Sequence, residues 1–199
     1  MKSKLIIAVL AALIAVPASA FEAGDWMVRA GITNVDPKSD NHPVVDADAG
    51  AALNLNATYM WTENWAIDIL AAIPFNHELY LVDGGAKVGE TDQLPPTVSI
   101  QYHFMSNQKF RPYVGLGLNY TTFFDEKTRG PLAGSDLDLD DSFGLAAQIG
   151  FDYMLDDHWF ANLDARWMDI DTEAKLDGTS LGDVEIDPLV YGFSFGYRF

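Results

Sequence analysis

The last eleven residues, Leu189–Phe199 (LVYGFSFGYRF), decide the fold of this chain. Large residues alternate there with small or polar ones: Leu189, Tyr191, Phe193, Phe195, Tyr197 and Phe199 against Val190, Gly192, Ser194, Gly196 and Arg198. Because side chains of a β-strand point alternately to its two faces, the pattern predicts one strand with an aromatic face and a small face. Aromatic residues outside and small residues inside are typical of a barrel wall whose exterior meets lipid.

The first twenty residues have the pattern of a secretory signal peptide. Two lysines precede an apolar run, Leu5–Val16, and Ala18–Ala20 supplies an A-x-A cleavage site. The run is shorter than the roughly 20 apolar residues that a membrane-anchoring helix, the alternative interpretation, requires. We therefore expect residues 1–20 to be a cleaved signal peptide and residues 21–199 to form a single transmembrane barrel domain.

The composition is that of a membrane protein without membrane helices. The chain is 49% hydrophobic and 13% aromatic, but its longest apolar run after residue 20, Trp65–Phe75, contains Asp68 and Pro74. Lipid offers the backbone no hydrogen-bond partners, so a membrane protein that lacks spanning helices must close its strands into a barrel. The chain has no cysteine, so backbone hydrogen bonds must hold the wall without disulfides.

The same alternation recurs along the chain and predicts an all-β fold, an eight-stranded antiparallel transmembrane barrel. The predicted strands are residues 24–35, 52–61, 65–72, 97–104, 113–120, 143–153, 159–168 and 189–199. Short turns follow the even-numbered strands, and four long loops, near residues 36–51, 76–94, 125–140 and 172–184, follow the odd-numbered ones. Outer-membrane barrels have short periplasmic turns and longer extracellular loops. The pattern therefore places the chain in the bacterial outer membrane with both termini in the periplasm.

The charge of the chain is strongly acidic, with a formal net charge of -17. Nucleic acid binding requires a basic face, so we expect no nucleic acid partner. The acidic residues lie mostly in the predicted loops, where solvation alone explains them. The alternative is that acidic loops face lipopolysaccharide bridged by divalent cations. The expected partners at the surface are the lipid bilayer and lipopolysaccharide.

Charged residues also occur at inward positions of the predicted wall. Charges inside a barrel must pair with one another. We therefore expect an internal lattice of ion pairs that plugs the lower lumen against ions. The residues concerned are Arg29, Arg166, Arg198, Asp68, Asp152 and Asp164.

The upper part of the predicted lumen is small or apolar instead. Leu70, Ala72, Met168 and Val190 point inward there. An eight-stranded barrel is nearly filled by its own side chains or has room for one slim ligand, and apolar pockets suit hydrophobic guests. The residues alone leave two alternatives open, a packed lumen without a guest and a narrow site for a small hydrophobic ligand.

Prolines cluster at one hairpin of the predicted wall. Pro74 ends the third strand, and Pro95 and Pro96 open the fourth. Because proline cannot donate a hydrogen bond to a neighbouring strand, pairing should be loose there. The prolines either mark a lateral seam through which a guest leaves into lipid, or simply end two strands.

Motifs for catalysis or metal binding are lacking. The four histidines have no metal-ligand spacing. Asp136–Asp140 has alternating acids, but Asp141 and Ala147 stand where a calcium loop needs glycine and glutamate. Ser99 and His103 share a strand face about 13 Å apart, too far for a direct hydrogen bond. We therefore expect no enzyme activity, no cofactor and no bound metal.

Several segments together resemble one protein family. They are Phe110–Asp125 (FRPYVGLGLNYTTFFD), Leu94–Thr97, Trp167–Thr172, Asp187–Val190 and Gly196–Phe199. With these segments the chain resembles the OmpW family of outer-membrane proteins, which includes the alkane-uptake protein AlkL. The resemblance covers the whole mature chain. The terminal aromatic Phe199 also resembles the C-terminal signal that the barrel-assembly machinery recognises.

The resemblance implies an eight-stranded barrel with a narrow hydrophobic channel. In this family, small apolar compounds are thought to enter from outside and to leave laterally through the wall. A leucine on the third strand, here Leu70, helps to constrict the channel. A bulky aromatic residue shares that role on the seventh strand of some members, and Arg166 stands at that position in this sequence. The resemblance favours the seam at Pro74, Pro95 and Pro96 as the exit.

Three functions are consistent with these features. The first is a passive conduit for small hydrophobic molecules with lateral exit into the bilayer. The second is a structural or surface-interaction barrel whose acidic loops bind partners without transport. The third is a small ion-conducting pore.

Overall fold

The protein is built almost wholly of β-strands. The computed structural model describes residues 20–38, 45–47, 49–72, 74–81 and 85–199. The expected signal peptide, apart from Ala20, lies outside these residues. The strands are β1 (Trp26–Asp36), β2 (Val45–Ala47), β3 (Gly50–Met60), β4 (Trp65–Ala72), β5 (Phe75–Leu81), β6 (Lys87–Leu94), β7 (Thr97–His103), β8 (Phe110–Thr128), β9 (Leu137–Leu139), β10 (Ser142–Met154), β11 (Trp159–Met168), β12 (Asp171–Leu176), β13 (Thr179–Glu185) and β14 (Leu189–Arg198). In the described part of the chain no helix has the length and hydropathy needed to cross a membrane.

Eight of the strands close into a barrel. They pair antiparallel in the order β1-β3-β4-β7-β8-β10-β11-β14, and β14 returns to β1. The first and last strands pair over ten residues, from Met27 with Arg198 to Asp36 with Leu189. Each of the eight barrel strands therefore pairs with a neighbour on both sides, as a barrel in lipid requires. The predicted eight-stranded antiparallel barrel is confirmed.

The outer face of the barrel is apolar and exposed. Leu116 is 73% exposed and Phe143 is 69% exposed, whereas their neighbours Gly117 and Gly144 are turned inward. A protein in water rarely exposes a continuous apolar surface of this kind. The exposed band is the surface that meets the hydrocarbon of a bilayer.

Aromatic residues collect at both rims of this band. Both ends of the barrel chain lie at one rim, where Phe199 N donates to Trp26 O at 2.9 Å. We call this the terminal end, and the opposite rim, from which the long connections extend, the loop end. The exposed aromatic residues are Trp26, Trp61, Trp65, Phe104, Trp159 and Phe199 at the terminal end, and Tyr120, Phe143, Trp167 and Tyr191 at the loop end. Such belts mark the two membrane interfaces.

The long connections at the loop end contain the remaining strands. β8 continues to Thr128, and its extension carries β6, then β5, then β2. β12 and β13 form a hairpin that pairs with β9 in a separate sheet. The hairpin turns at Asp177 and Gly178, both at positive φ (49° and 76°), as an Asp-Gly turn of this type requires.

The lumen contains two apolar clusters with polar residues between them. Inward residues of β10 show the order: Ala146, Gln148, Gly150, Asp152 and Met154 follow one another towards the terminal end. The loop-side cluster consists of Val35, Phe123, Ala146, Met168, Ile170, Ile186 and Val190. The terminal-side cluster consists of Phe21, Met27, Met60, Ala66, Met154 and Phe160.

Candidate functional site in the barrel lumen

A group of buried charges crosses the middle of the lumen. Arg29 of β1 donates to Asp152 of β10 through Nε (3.2 Å to Oδ1) and Nη2 (3.0 Å to Oδ2). Its Nη1 donates to Thr58 Oγ1 at 2.6 Å and lies 3.4 Å from Asp68 Oδ1. Both carboxylates and the guanidinium are almost fully buried. Several acceptors around one planar guanidinium offset part of the cost of burying these charges.

Asp68 links this group to a second guanidinium on the opposite wall. Arg166 Nη2 lies 3.6 Å from Asp68 Oδ2 and 4.0 Å from Asp164 Oδ2. The same nitrogen donates to Gln148 Oε1 at 2.7 Å. A continuous chain of polar contacts therefore spans the lumen. We call these residues the polar layer: Arg29, Asp68, Gln148, Asp152, Asp164 and Arg166.

Arg198 lies apart from the polar layer. It is inward-facing, but its Nε pairs with Asp25 Oδ2 at 2.8 Å, close to the terminal end. The structure thus brings five of the six expected lumen charges together and gives Arg198 a different partner. Asp25 lies in the predicted first strand, on the inward side with Arg29, but the sequence analysis did not single it out; in the structure it directly precedes β1.

The terminal end is filled by residues that the sequence analysis did not single out. The ring of Phe21 is fully buried, and Arg111 places its guanidinium carbon 3.9 Å from the ring centroid. His103 approaches the same ring edge-on at 5.5 Å. Phe21 N donates to Ser106 O at 3.1 Å. The alternation of β8 contained a signal for Arg111, because it is two residues from inward-facing Tyr113.

The loop-side cluster gathers part of the expected apolar lining. Met168 and Val190 belong to it and are 1% and 5% exposed. Leu70 is also buried, but it lies beside the polar layer, two residues beyond Asp68 on β4. Ala72 pairs with Asn54 through the backbone, and its side chain lies outside the described part of the structure.

Three members of the loop-side cluster come from beyond the predicted strands. Phe123 lies on the extension of β8, and Ile170 and Ile186 flank the β12–β13 hairpin. Ile186 N donates to Ile170 O at 2.9 Å, so the two isoleucines are held together. Phe123 continues the inward alternation of Asn119 and Thr121 on β8, but the predicted strand ended at Tyr120. Ile170 and Ile186 lie outside the strands, so periodicity did not assign them to the lumen.

The barrel ladder is incomplete on one side of this cluster. The β4–β7 pairing ends at Leu70 and Thr97 in the described residues, whereas β4 continues to pair with β3 up to Ala72. Pro96 is exposed and Pro95 is buried just beyond this point. We call Pro95, Pro96 and Thr97 the proline corner. Pro74, exposed, follows the end of β4.

Met168 connects the loop-side cluster with the proline corner. Its Sδ accepts from Thr97 Oγ1 at 3.7 Å and from Asn119 Nδ2 at 3.6 Å. Asn119 Nδ2 also donates to Pro96 O at 3.3 Å. The flexible thioether thus reaches across the lumen from β11 to the place where the β4–β7 ladder stops.

Three carboxylates meet where the β12–β13 hairpin leaves the barrel. Oxygens of Asp169, Asp171 and Asp187 lie within 4.8 Å of one another. Lys38 Nζ lies 3.7 Å from Asp187 Oδ2. Partial burial, and then the neighbouring carboxylates, raise the pKa of Asp171 above its usual value. The charges at this junction therefore repel one another at neutral pH.

Comparison with known proteins identifies the family of this barrel. The OmpW family profile matches residues 22–199. The chain belongs to the OmpW family. Among OmpW-family relatives, outer membrane protein W of Vibrio cholerae is 46% identical, over 97% of this chain and 97% of its own. Outer membrane protein AlkL of Ectopseudomonas oleovorans is 32% identical, over 89% of this chain and 76% of its own.

A solved structure of this family has the same fold. The crystal structure of the outer membrane protein OprG from Pseudomonas aeruginosa matches with a TM-score of 0.81 and 38% identity. The match covers 92% of this chain and 99% of that one. The OmpW-family chain is therefore a barrel of the bacterial outer membrane and lies in its lipid bilayer.

In this OmpW-family barrel, Leu70 and Arg166 lie on either side of one carboxylate. Leu70 shares the inward face of β4 with Asp68, two residues away, and Asp68 contacts Arg166. Val190 is the cross-strand partner of Arg166. The two residues that the family resemblance implied as a constriction thus lie at the border between the polar layer and the apolar residues above it.

Proposed function

We propose that this protein gives small hydrophobic molecules passive passage through the outer membrane, with lateral exit into the bilayer. One observation carries the proposal. Met168 belongs to the apolar loop-side cluster and also contacts the proline corner, where the β4–β7 ladder ends. A guest that displaces the flexible Met168 side chain would move from the apolar loop-side cluster directly to the place where β4 and β7 are no longer paired.

The polar layer supports lateral exit rather than passage to the terminal end. An apolar guest that continued along the lumen would have to separate Arg29, Asp68 and Asp152 without replacing their hydrogen bonds. Leaving buried charges unpaired costs several kcal/mol, at about 3–5 kcal/mol per broken pair. Moving sideways into lipid carries no such cost, because the hydrocarbon of the bilayer dissolves an apolar molecule.

The orientation in the membrane is part of the proposal. The terminal end faces the periplasm and the loop end faces the outside, as in other barrels with short turns on one side and long connections on the other. A guest then enters from the exterior beneath the β12–β13 hairpin. The OmpW-family relationship and the relative AlkL are consistent with this assignment. We assign the protein no catalytic role, cofactor or metal.

Uptake measurements test the proposal. Ala146→Phe places a large ring in the loop-side cluster, where Ala146 is 2% exposed. Ala147→Phe is the matched control, because the adjacent residue belongs to the lipid-facing set of β10. We expect cells with the Ala146 variant to take up a small alkane several-fold more slowly than wild type, and cells with the control variant to match wild type.

Two results would contradict passage of hydrophobic molecules. One is equal alkane uptake by cells with and without the protein. The other is equal slowing by both variants, which would show that the lumen is not the route. Heat-dependent migration of the purified variants on gels confirms that each barrel is folded.

A surface-interaction role is the second candidate. β8 is 19 residues long, and its extension carries a sheet outside the barrel. In that sheet Glu90 forms ion pairs with both Arg129 (2.8 Å) and Lys87 (3.0 Å). These ion pairs give the surface a defined arrangement of charges. If this surface binds lipopolysaccharide or another partner, removal of the β12–β13 hairpin or the β5–β6 hairpin abolishes that binding, while Ala146→Phe leaves it intact.

A further inference from the structure

Two buried N–H groups at the upper border of the polar layer have no acceptor among the residues that the structure describes. They are Arg166 Nε and Gln148 Nε2. Both side chains are more than nine-tenths buried, at 4% and 6% exposed. A buried donor without an acceptor is costly and rare in folded proteins. Arg166 and Gln148 are cross-strand partners, so their two unpaired donors lie close enough to bind one acceptor group of a ligand.

The orientation of these two donors is determined by the structure. Arg166 can only donate, and its Nη2 contacts Gln148 Oε1 at 2.7 Å. The amide oxygen of Gln148 is thus committed to the guanidinium, and the amide nitrogen must point elsewhere. Gly115 provides the room for it, since a Cβ there would lie only 2.6 Å from Gln148 Nε2.

The donors lie directly beside the apolar site. The next inward pair on the same two strands is Ala146 with Met168, both in the loop-side cluster. On its other side Arg166 pairs with Val190, which belongs to the same cluster. A guest in the apolar site that displaces the flexible Met168 therefore meets the donors at the inner end of that site.

The surrounding charge determines what kind of head group fits. The polar layer holds two guanidinium groups and three carboxylates, a formal balance of -1: Arg29, Arg166, Asp68, Asp152 and Asp164. An anionic head would be repelled by this layer. A cationic amine has only donors to offer and would find two more donors facing it. An uncharged group with an acceptor oxygen satisfies both conditions.

We propose that the guest preferred at this site is a small apolar molecule that carries one uncharged, hydrogen-bond-accepting oxygen, such as a ketone or an ester. The apolar part lies against Met168 and Val190, and the oxygen accepts from Arg166 Nε and Gln148 Nε2. The inference rests on the passage function proposed above and names the class of compound that the same site prefers over a plain hydrocarbon.

Equilibrium partitioning tests this preference. The full chain is reconstituted in lipid nanodiscs, and empty nanodiscs of the same lipid correct for partitioning into the bilayer. The probes are methyl octyl ketone, decane and decanoate, which have the same number of carbon atoms. We expect the ketone to bind at least about tenfold more tightly than decane, which corresponds to about 1.4 kcal/mol, and decanoate to bind more weakly than the ketone.

Two variants remove the donor in different ways. Gln148→Glu keeps an acceptor for Arg166 and replaces the amide nitrogen by an oxygen. Gly115→Ala displaces that nitrogen without changing charge. Each should reduce the ratio of ketone to decane affinity to less than about threefold. Gln101→Glu is the matched control, because it makes the same change next to Ala66 of the terminal-side cluster, and should keep the wild-type ratio.

The outcomes separate this inference from the passage function. Equal affinity for ketone and decane overturns the inference alone, because a hydrophobic site would still exist. Tightest binding of decanoate overturns the requirement for an uncharged head. A wild-type ratio in both donor variants overturns the role of Gln148. Binding of none of the probes overturns the inference and the passage function together.

Discussion

Asp68 is the residue that joins the two halves of the polar layer. Its Oδ1 lies 3.4 Å from Arg29 and its Oδ2 lies 3.6 Å from Arg166, while Asn56 donates to Oδ2 at 2.9 Å. One carboxylate with four lone-pair sites can serve both guanidinium groups. The layer is therefore a connected network, in which the loss of one member leaves its partners buried and unpaired.

Asp152→Ala tests the strength of this network at a single residue. Asp152 is fully buried and accepts twice from Arg29, so its removal leaves a buried guanidinium without its main partner. We expect the free energy of unfolding to fall by about 3–5 kcal/mol, measured by urea titration in detergent. Asp157→Ala, in an exposed turn, should cost far less. Equal losses in the two variants would contradict the assigned network.

Asp171→Asn tests the charge repulsion at the hairpin junction. The pKa of Asp171 is raised, so folding favours its neutral form and ionisation at neutral pH opposes folding. The amide variant should therefore be more stable than wild type at pH 7. Its advantage should shrink as the pH falls through the raised pKa, because wild-type Asp171 then becomes neutral too. Thermal unfolding across this range checks the trend, with Glu63→Gln as control; a destabilised variant at pH 7 would contradict it.

The strands that close the barrel depend on small inward residues. β1 and β14 approach so closely that a Cβ at Gly31 would lie 2.1 Å from Phe193 O and 2.6 Å from Ser194 Cα. On β14 itself, a Cβ at Gly196 would lie 2.2 Å from the ring of Phe160. The small face that is visible in the C-terminal sequence is thus a packing requirement of the closed wall.

Gly31→Ala tests this requirement at the closing strand pair. The added carbon meets backbone atoms, which cannot move aside without shifting β14. We expect destabilisation of at least about 1–3 kcal/mol, the usual cost of overpacking, seen as a lower yield of heat-resistant barrel after refolding. Ala30→Val adds bulk to the adjacent exposed residue and should refold like wild type. Normal refolding of the Gly31 variant would show that the pair is less tightly packed.

At the scale of the whole molecule, the barrel is divided along its axis. The apolar loop-side cluster, the polar layer and the terminal-side cluster follow one another through the lumen. Arg111 and Phe21 fill the terminal end below them. This order of layers is the structural basis of the passage function that we propose, in which apolar molecules enter at the loop end and the polar layer opposes ion flow along the axis.

Arg166→Ala tests, by electrical recording, whether the polar layer blocks ion flow along the barrel axis. The variant removes one guanidinium from the polar layer and leaves Asp68 and Asp164 without its charge. We expect a small current in planar bilayers for wild type, and a larger, cation-selective current for the variant. Arg129→Ala, on the exposed sheet beyond the wall, should behave as wild type. A large wild-type current would favour the ion pore among the three functions considered.

The alternation of side chains in the sequence predicted the position of some residues of the candidate site and not of others. Met168 and Arg166 could be placed inward because they lie in the regular part of β11. Phe123 was missed because the predicted strand ended at Tyr120, although the inward alternation of β8 continues to it. Ile170 and Ile186 could not be placed, because they lie outside the strands. The β12–β13 hairpin was predicted only as a loop, although Asp177-Gly178 between two alternating segments is a hairpin signal.

The sequence alone determined the number of barrel strands, the face of each residue within the predicted strands and the family resemblance. The reason is that a period of two assigns every side chain of a regular strand to lipid or lumen without knowledge of its neighbours. Only the tertiary structure decided which inward residues meet, because partners such as Arg29 and Asp152 come from strands far apart in sequence. The tilt of the strands in the closed barrel determines those contacts, and a local sequence pattern does not predict the tilt.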